Sequence, residues 1–303
     1  MKLDGIHHIT CITADAPRNV DFYTRVLGLR LVKKSVNQDV PTIYHLFYSD
    51  DEGSPGADIT FFEYPEAPPG RTGAGQVHLI VWRVASTDAI EFWERRLSSE
   101  GVTIERGPEG LRFSDPERLT FELRVVQTDD EPLVARHPDV PGEFALQGFD
   151  GVRAYTLDPE RSRGLLEGSL GFEPSDGGYS IRGPKRGSRF AYDVTDRRGV
   201  EGAGSVHHVA WACGSDDDQL AWRTRVGEAG ANVTPVIDRF YFKSIYFREP
   251  SGVLFEIATP EPGFSADEDP AHLGERLSLP PDYEHLRDQL ERTLTPLPDT
   301  RVG

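Results

Sequence analysis

The chain repeats one pattern four times, and that repeat restricts the fold more than any other feature. An apolar strand, a helix closed by glycine and three further strands are expected at 6–13, 15–27, 29–36, 42–48 and 59–64, with Gly28 stopping the helix. Within 15–27 the apolar residues Val20, Phe22, Tyr23, Val26 and Leu27 keep helical spacing, and Asp15 is a ready cap with Pro17 in the first turn. A second copy covers strand 77–84, helix 89–100 ended by Gly101, a strand beginning at 102–107, and strands 111–114 and 119–126. The third copy covers 149–157, helix 161–170 before Gly171, and strands near 179–181 and 189–194. The fourth starts at 205, with helix 216–229 before Gly230 and strands 233–238, 244–248 and 253–258. A unit of about fifty residues cannot bury its own sheet face, so the copies must pair.

The expectation is an α+β fold of four βαβββ repeats, forming two paired-module domains with cupped mixed β-sheets. The polar, Pro-rich stretch 129–148 reads as the linker, which divides the chain into 1–135 and 146–303. The second half carries a tail with an acidic loop at 263–269 and, after Pro280-Pro281-Asp282, a helix over 283–294. That helix is expected on the outside of the C-terminal pair.

Composition excludes several function classes. A net charge of −17 argues against nucleic acid, whose phosphates need a basic patch. No run of 18 apolar residues exists to span a membrane, and the N-terminus has no uninterrupted apolar signal. Cys11 and Cys213 make no disulfide framework, which points to a cytoplasmic protein. Lys occurs only at 2, 33, 34, 185 and 243 among 33 cations, an acidic, lysine-poor balance like that of salt-loving organisms. Exposed sheet edges leave room for a homo-oligomer.

Two doublets carry the chemistry: His7-His8 in the first repeat and His207-His208 in the fourth. Neighbours on a strand face opposite sides, so one histidine of each pair is expected in the core. His207 shares parity with Val209 and Trp211, and His7 with Ile9 and Cys11. His208 goes with Ala210 and Ala212, and His8 with Thr10. On 253–258, Glu256 is opposite Val253, Phe255 and Ile257. Parity therefore nominates His8, His208 and Glu256 for one cavity. A Glu between Phe255 and Ile257 is costly to bury unless paired or metal-bound. Two His and one carboxylate are the ligand set of non-haem Fe(II) oxygenases, with open positions for substrate and O2.

The repeats and these residues resemble the vicinal oxygen chelate superfamily of glyoxalases, extradiol dioxygenases and antibiotic-resistance proteins. The resemblance is strongest to its hydroquinone-type ring-cleaving dioxygenases. It rests on Ile6-His7-His8-Ile9-Thr10, Phe22-Tyr23 with Val26-Leu27-Gly28, Tyr44-His45-Leu46, Gly56, His207-His208, Tyr246, Gly252-Val253-Leu254-Phe255-Glu256 and the tail Gly263-Phe264, Asp267-Glu268, Leu273-Gly274. It implies Fe(II), or Mn(II), on His8, His208 and Glu256, with O2 as co-substrate and a small aromatic diol as substrate. It also implies that His7, His207 and Thr10 stand beside the ligands and that Arg239 and Tyr246 stand near the substrate.

Two other readings share the fold. A glyoxalase-like lyase or isomerase would use Zn or Ni and a second carboxylate, for which Glu63 is the candidate. Parity places Glu63 with Ile59 and Phe61, leaving Phe62 in the cavity-facing slot. A protein that sequesters a small aromatic or an antibiotic would bind without turnover.

Overall fold

The computed structural model describes residues 1–107 and 109–300, so residues 301–303 of the second half lie outside the described residues. In chain order the elements are β1 (Ile6–Thr13), α1 (Ala16–Asp21), β2 (Arg30–Asn37), β3 (Val40–Ser49), β4 (Asp58–Glu63), β5 (Gln76–Val84), α2 (Thr87–Ser99), β6 (Ile104–Arg106), β7 (Gly110–Ser114) and β8 (Thr120–Val125). There follow β9 (Phe149–Thr156), α3 (Glu160–Arg163), β10 (Glu173–Ser175), β11 (Gly178–Arg182), β12 (Gly187–Val194), β13 (Ser205–Ala212), α4 (Asp216–Glu228), β14 (Ile237–Asp238), β15 (Lys243–Arg248), β16 (Leu254–Ala258) and α5 (Arg287–Thr293). The strand expected at 233–238 shrinks to two residues, and the three-residue β10 was not foreseen. The first and third helices continue as π-helical turns at Phe22–Val26 and Gly164–Leu170.

The Asp15 cap forms as the sequence suggests, whereas the helix expected at 283–294 opens as a 3-10 turn at Pro281–Leu286 and has no side-chain cap. Asp15 accepts the Arg18 N–H at 3.1 Å. Ser86 and Ser215 do the same for Ala89 and Asp218 at the starts of α2 and α4. Asp216, Asp217 and Asp218 occupy the first turn of α4, where the helix dipole favours anions.

Two eight-stranded sheets result, ordered β14-β15-β16-β13-β1-β4-β3-β2 and β10-β11-β12-β9-β5-β8-β7-β6. The first repeat pairs with the fourth, through β1 against β13, and the second with the third, through β5 against β9. The halves 1–135 and 146–303 therefore do not each close a sheet. The opening strands of the first and fourth repeats, and of the second and third, pair with each other, and nothing in the linker obliges sequence neighbours to pair. One core of buried residues runs between the sheets and helices and includes Trp82, Trp93, Trp211 and Trp222. A second, smaller cluster fills the concave side of the first sheet: Val32, Phe47, Ala210, Tyr241, Phe242, Ala258, Phe264 and Leu273. Among the described residues no helix is long and apolar enough to cross a membrane.

The tail corrects another expectation. It runs back over the first repeat instead of capping the C-terminal pair. Leu277 bridges to Lys34 and Ser278 N–H bonds to the Lys34 carbonyl at 2.8 Å, which covers the β2 edge. The Tyr283 hydroxyl donates to the Gln38 carbonyl at 2.7 Å. Gly274 adopts φ 74, and a Cβ there would stand 1.8 Å from the Leu31 carbonyl oxygen, so this crossing needs glycine. The anchor is Lys33, fully buried, which donates to Asp267 at 2.7 Å and to Glu268. Removing the ammonium leaves the buried Glu268 carboxylate with only the more distant Arg276 guanidinium, at 3.8 Å, as a cationic partner. Lys33→Met should therefore lower unfolding stability by about 3–5 kcal/mol in a urea titration, with earlier proteolytic cleavage of the tail.

Candidate metal centre

The histidine doublets sit where strand alternation is broken. Along the β1–β13 pairing Ile6 opposes Trp211 and the next pair is His8 with Ala210, so His7 is an extra residue. Further on, Thr10 opposes His208 and Cys11 opposes Val206, so His207 is extra on the other strand. Each doublet lies in a β-bulge. Ile6, Ile9, Val206 and Val209 all stay in the core while both histidines of each pair turn to the concave side. The parity expectation that His7 and His207 face the core is thereby overturned. His207 is half-buried, its ring centroid 5.5 Å from that of Phe62.

His8, His208 and Glu256 converge as expected. His8 Nε2 lies 3.2 Å from His208 Nε2. Glu256 Oε2 lies 2.9 Å from His208 Nε2 and 3.3 Å from His8 Nε2. Strands β1, β13 and β16 are adjacent, and His8 and Glu256 both stand opposite Ala210, whose small side chain leaves space between them. Glu256 Oε1 accepts from Ser244, whereas Oε2 is buried with no hydrogen-bond donor satisfying it. Burial opposes the Glu256 charge, but the His8 and His208 rings outweigh it and hold the carboxyl well below its usual range.

A backbone carbonyl sets the tautomers. His7 Nε2 lies 3.1 Å from the Thr259 carbonyl, which can only accept, so His7 carries its proton there. Burial and the neighbouring His8 ring lower His7 to about 3, so it is neutral and its Nδ1 accepts. His8 Nδ1, 2.9 Å away, must then donate, which leaves the His8 Nε2 lone pair aimed at the cluster. On the other strand His207 Nδ1 stands 2.7 Å from His208 Nδ1 and can serve the same role. Burial lowers His208 to about 4 against the pull of Glu256. Two imidazole lone pairs and a carboxylate oxygen thus face one another at contact distance. That donor set fits a divalent transition metal, with partners behind each imidazole to orient it.

The remaining nominated residues surround this point. Thr10, fully buried, accepts from the Thr60 hydroxyl at 2.8 Å. The Tyr246 ring is 5.7 Å from His208, and burial followed by the Glu256 charge raises its hydroxyl above the ordinary range. Arg239 donates to the Tyr246 hydroxyl at 3.3 Å and forks onto Asp39 at 3.0 Å. With Asn37, Gln38, His45, Phe47, Phe62 and Phe242, these groups line a slot enclosing about 30 Å³ beside His8 and His208. Sequence reasoning gave His45 no role. The signal was present: Tyr44, Leu46 and Tyr48 are core residues, which puts His45 on the cup side.

Glu63 does not reach the site. It is buried on the core side and accepts the Ala16 N–H at 3.2 Å, while Phe62 takes the slot-facing position. The second sheet shows what the same architecture looks like without a metal site. Its bulges fall at His78 and Asp150, matching His207 and His7. Glu122 stands opposite Val81 as Glu256 stands opposite Ala210. Leu79 and Gly151 occupy the positions of His208 and His8, and Arg112 and Arg124 hold the Glu122 carboxylate.

The chain belongs to the Glyoxalase/Bleomycin resistance protein/Dioxygenase superfamily, whose family profile matches residues 5–123 and 148–257. It is similar over 97% of its length to the Bacillus subtilis protein named "Putative ring-cleaving dioxygenase MhqO", with 41% identity and 97% of that protein covered. Similarity extends to a chlorohydroquinone/hydroquinone 1,2-dioxygenase of Sphingobium indicum, at 33% identity over 97% of this chain and 96% of the relative. A Bacillus subtilis crystal structure superposes with a TM-score of 0.92 at 40% identity, over 99% of both chains. Glyoxalase I of Zea mays, at 15% identity and TM-score 0.60 over 90% of this chain and 96% of its own, shares the fold. The chain is an enzyme of the ring-cleaving dioxygenase kind.

Calorimetric titration with Fe(II) or Mn(II) under argon should show no binding in His8→Ala or Glu256→Ala, and about 10–100-fold weaker binding in His7→Ala. Proton linkage gives a second check. His7 and His208 bind protons at about 3 and 4 when folded, against 6.5 in the unfolded chain. The unfolded state therefore holds more protons between these values, and stability of the metal-free protein should fall as pH drops from 6.5 towards 4. His7→Leu should flatten that slope in thermal melts.

Proposed function

We propose that this enzyme is an Fe(II)-dependent dioxygenase that inserts O2 into a hydroquinone- or catechol-type aromatic diol. The observation that carries the proposal is the buried triad of His8, His208 and Glu256 at the floor of a slot walled by Phe47, Phe62 and Phe242. Fe(II) on the triad, or Mn(II) in its place, would supply the one-electron chemistry that lets O2 react with a diol.

The chain's own residues handle position and protons. The aromatic walls hold the ring by apolar contact and edge-to-face packing. His207, half-buried beside Phe62, is kept neutral by burial, and its Nδ1 can accept from His208 Nδ1 and so hold that ring in orientation. The Tyr246 hydroxyl stays protonated, and Arg239 stays charged through Tyr246 and Asp39 despite burial. Both can donate to oxygens of the substrate or of O2. Thr259 and Thr10 fix the rings and hydroxyls behind the ligands.

The slot as it stands has room for about one water. A ring enters only if the segment 239–242 swings outward. The contacts that hold that segment shut include Arg239 to Asp39, Gln38 to the Arg239 carbonyl at 2.7 Å, Tyr241 to Asp267 at 3.0 Å and the Gly263 N–H to the Tyr241 carbonyl at 2.8 Å. Phe240 in this segment has φ 70, a conformation rare outside glycine, which suits a tight turn that can be re-formed.

Oxygen uptake by protein purified without air and loaded with Fe(II) tests the function. One O2 should be consumed per diol, with activity reduced at least a thousand-fold in His8→Ala and Glu256→Ala. Protein carrying Zn(II) should be inactive. Diol binding without oxygen uptake would instead identify a sequestering protein.

A further inference from the structure

The slot has a second polar wall that the proposed chemistry leaves unused. Ser35 of β2 and His45 of β3 are cross-strand partners, and both line the slot closed on its other side by His8 and His208. The His45 ring lies between Phe47 and Phe62, with centroid distances of 3.9 and 4.4 Å. Its Nε2 is 2.9 Å from the Thr60 hydroxyl oxygen. Thr60 has one proton and gives it to Thr10, so towards His45 it can only accept. His45 therefore carries its proton on Nε2. Burial, followed by the neighbouring His8 and His208 rings, keeps the ring neutral. What remains is the Nδ1 lone pair, to which no described residue donates. Beside it the Ser35 hydroxyl is 2% exposed, close to the Tyr241 hydroxyl yet aligned with no partner.

We propose that His45 Nδ1, with Ser35 beside it, receives the ring hydroxyl that points away from the triad, and that this wall selects a para-diol over a 1,2-diol. The inference rests on the dioxygenase reading, which places the ring in the slot with one hydroxyl towards His8, His208 and Glu256. In the order β1-β4-β3-β2 the backbone that carries His45 stands about two strand spacings, roughly 10 Å, from the backbone that carries His8, and that of Ser35 about three. The two hydroxyls of a 1,2-diol are neighbours, and both turn to the triad. The far edge of that ring is C–H, which leaves His45 Nδ1 and the buried Ser35 hydroxyl without partners. A para-diol places an O–H there. A site with a buried acceptor discriminates strongly against a ligand that lacks the matching donor.

Calorimetry in the absence of O2, on Mn(II)-loaded protein, tests this with hydroquinone, catechol and phenol as probes. Phenol keeps the near hydroxyl and lacks the far one. The wild type should bind hydroquinone at least tenfold more tightly than phenol or catechol. His45→Leu should remove that advantage by weakening hydroquinone alone, and His45→Asn, whose Oδ1 replaces the Nδ1 acceptor, should restore part of it. Ser35→Ala should weaken hydroquinone by a smaller factor. Thermal melts of each variant check the fold, and if His45→Leu does not fold, the wild-type ranking and Ser35→Ala decide. Equal wild-type affinity for hydroquinone and phenol, or equal weakening of all three ligands in His45→Leu, overturns the inference and leaves the dioxygenase reading intact. No binding of any probe to the wild type overturns both.

Discussion

The site depends on one constraint: two adjacent histidines on a strand whose flanking residues are all in the core. Alternation would bury one imidazole of each pair in an apolar layer with its nitrogens unpaired. A bulge at each doublet avoids that cost by adding one residue to the strand, so Ile6 and Ile9, like Val206 and Val209, stay in the core. Both rings then reach the concave face. The first histidine of each pair becomes the hydrogen-bond partner of the second, and the Thr259 carbonyl sets the first doublet's tautomers.

Pairing the first repeat with the fourth has a direct chemical consequence. One residue of the triad comes from β1, near the start of the chain, and two from β13 and β16, and they meet only because β1 and β13 are neighbours. The second sheet keeps both bulges and the carboxylate, yet Leu79 and Gly151 stand in the histidine positions. The arginines around Glu122 supply there the positive charge that a metal would supply in the first cup. The architecture is thus duplicated and the metal chemistry is not.

The tail completes the first cup. Phe264 and Leu273 contribute to its apolar lining, Asp267 and Glu268 hold Lys33, and Asp267 also holds Tyr241 in the segment that closes the slot. The segment that closes the slot is in this way tied to a stretch of chain that the βαβββ units themselves do not require.

The sequence by itself determined the four repeats, the first helix cap, the α+β class and the cluster of His8, His208 and Glu256. Each of these follows from local periodicity or from parity counted within a single strand, and the parity of Glu256, Phe62 and Glu63 was legible because β16 and β4 carry no bulge near them. It also carried the alternation that puts His45 on the cup side, though that signal has no meaning until β3 is known to border the slot. Tertiary structure alone decided which repeats pair, where the bulges fall and where the tail lies. Sheet pairing is chosen among similar apolar edges by total burial across the molecule. A bulge is a response to two strands meeting. Neither quantity exists within one segment, so His7 and His207 were misplaced by strand parity and the tail was assigned to the wrong half.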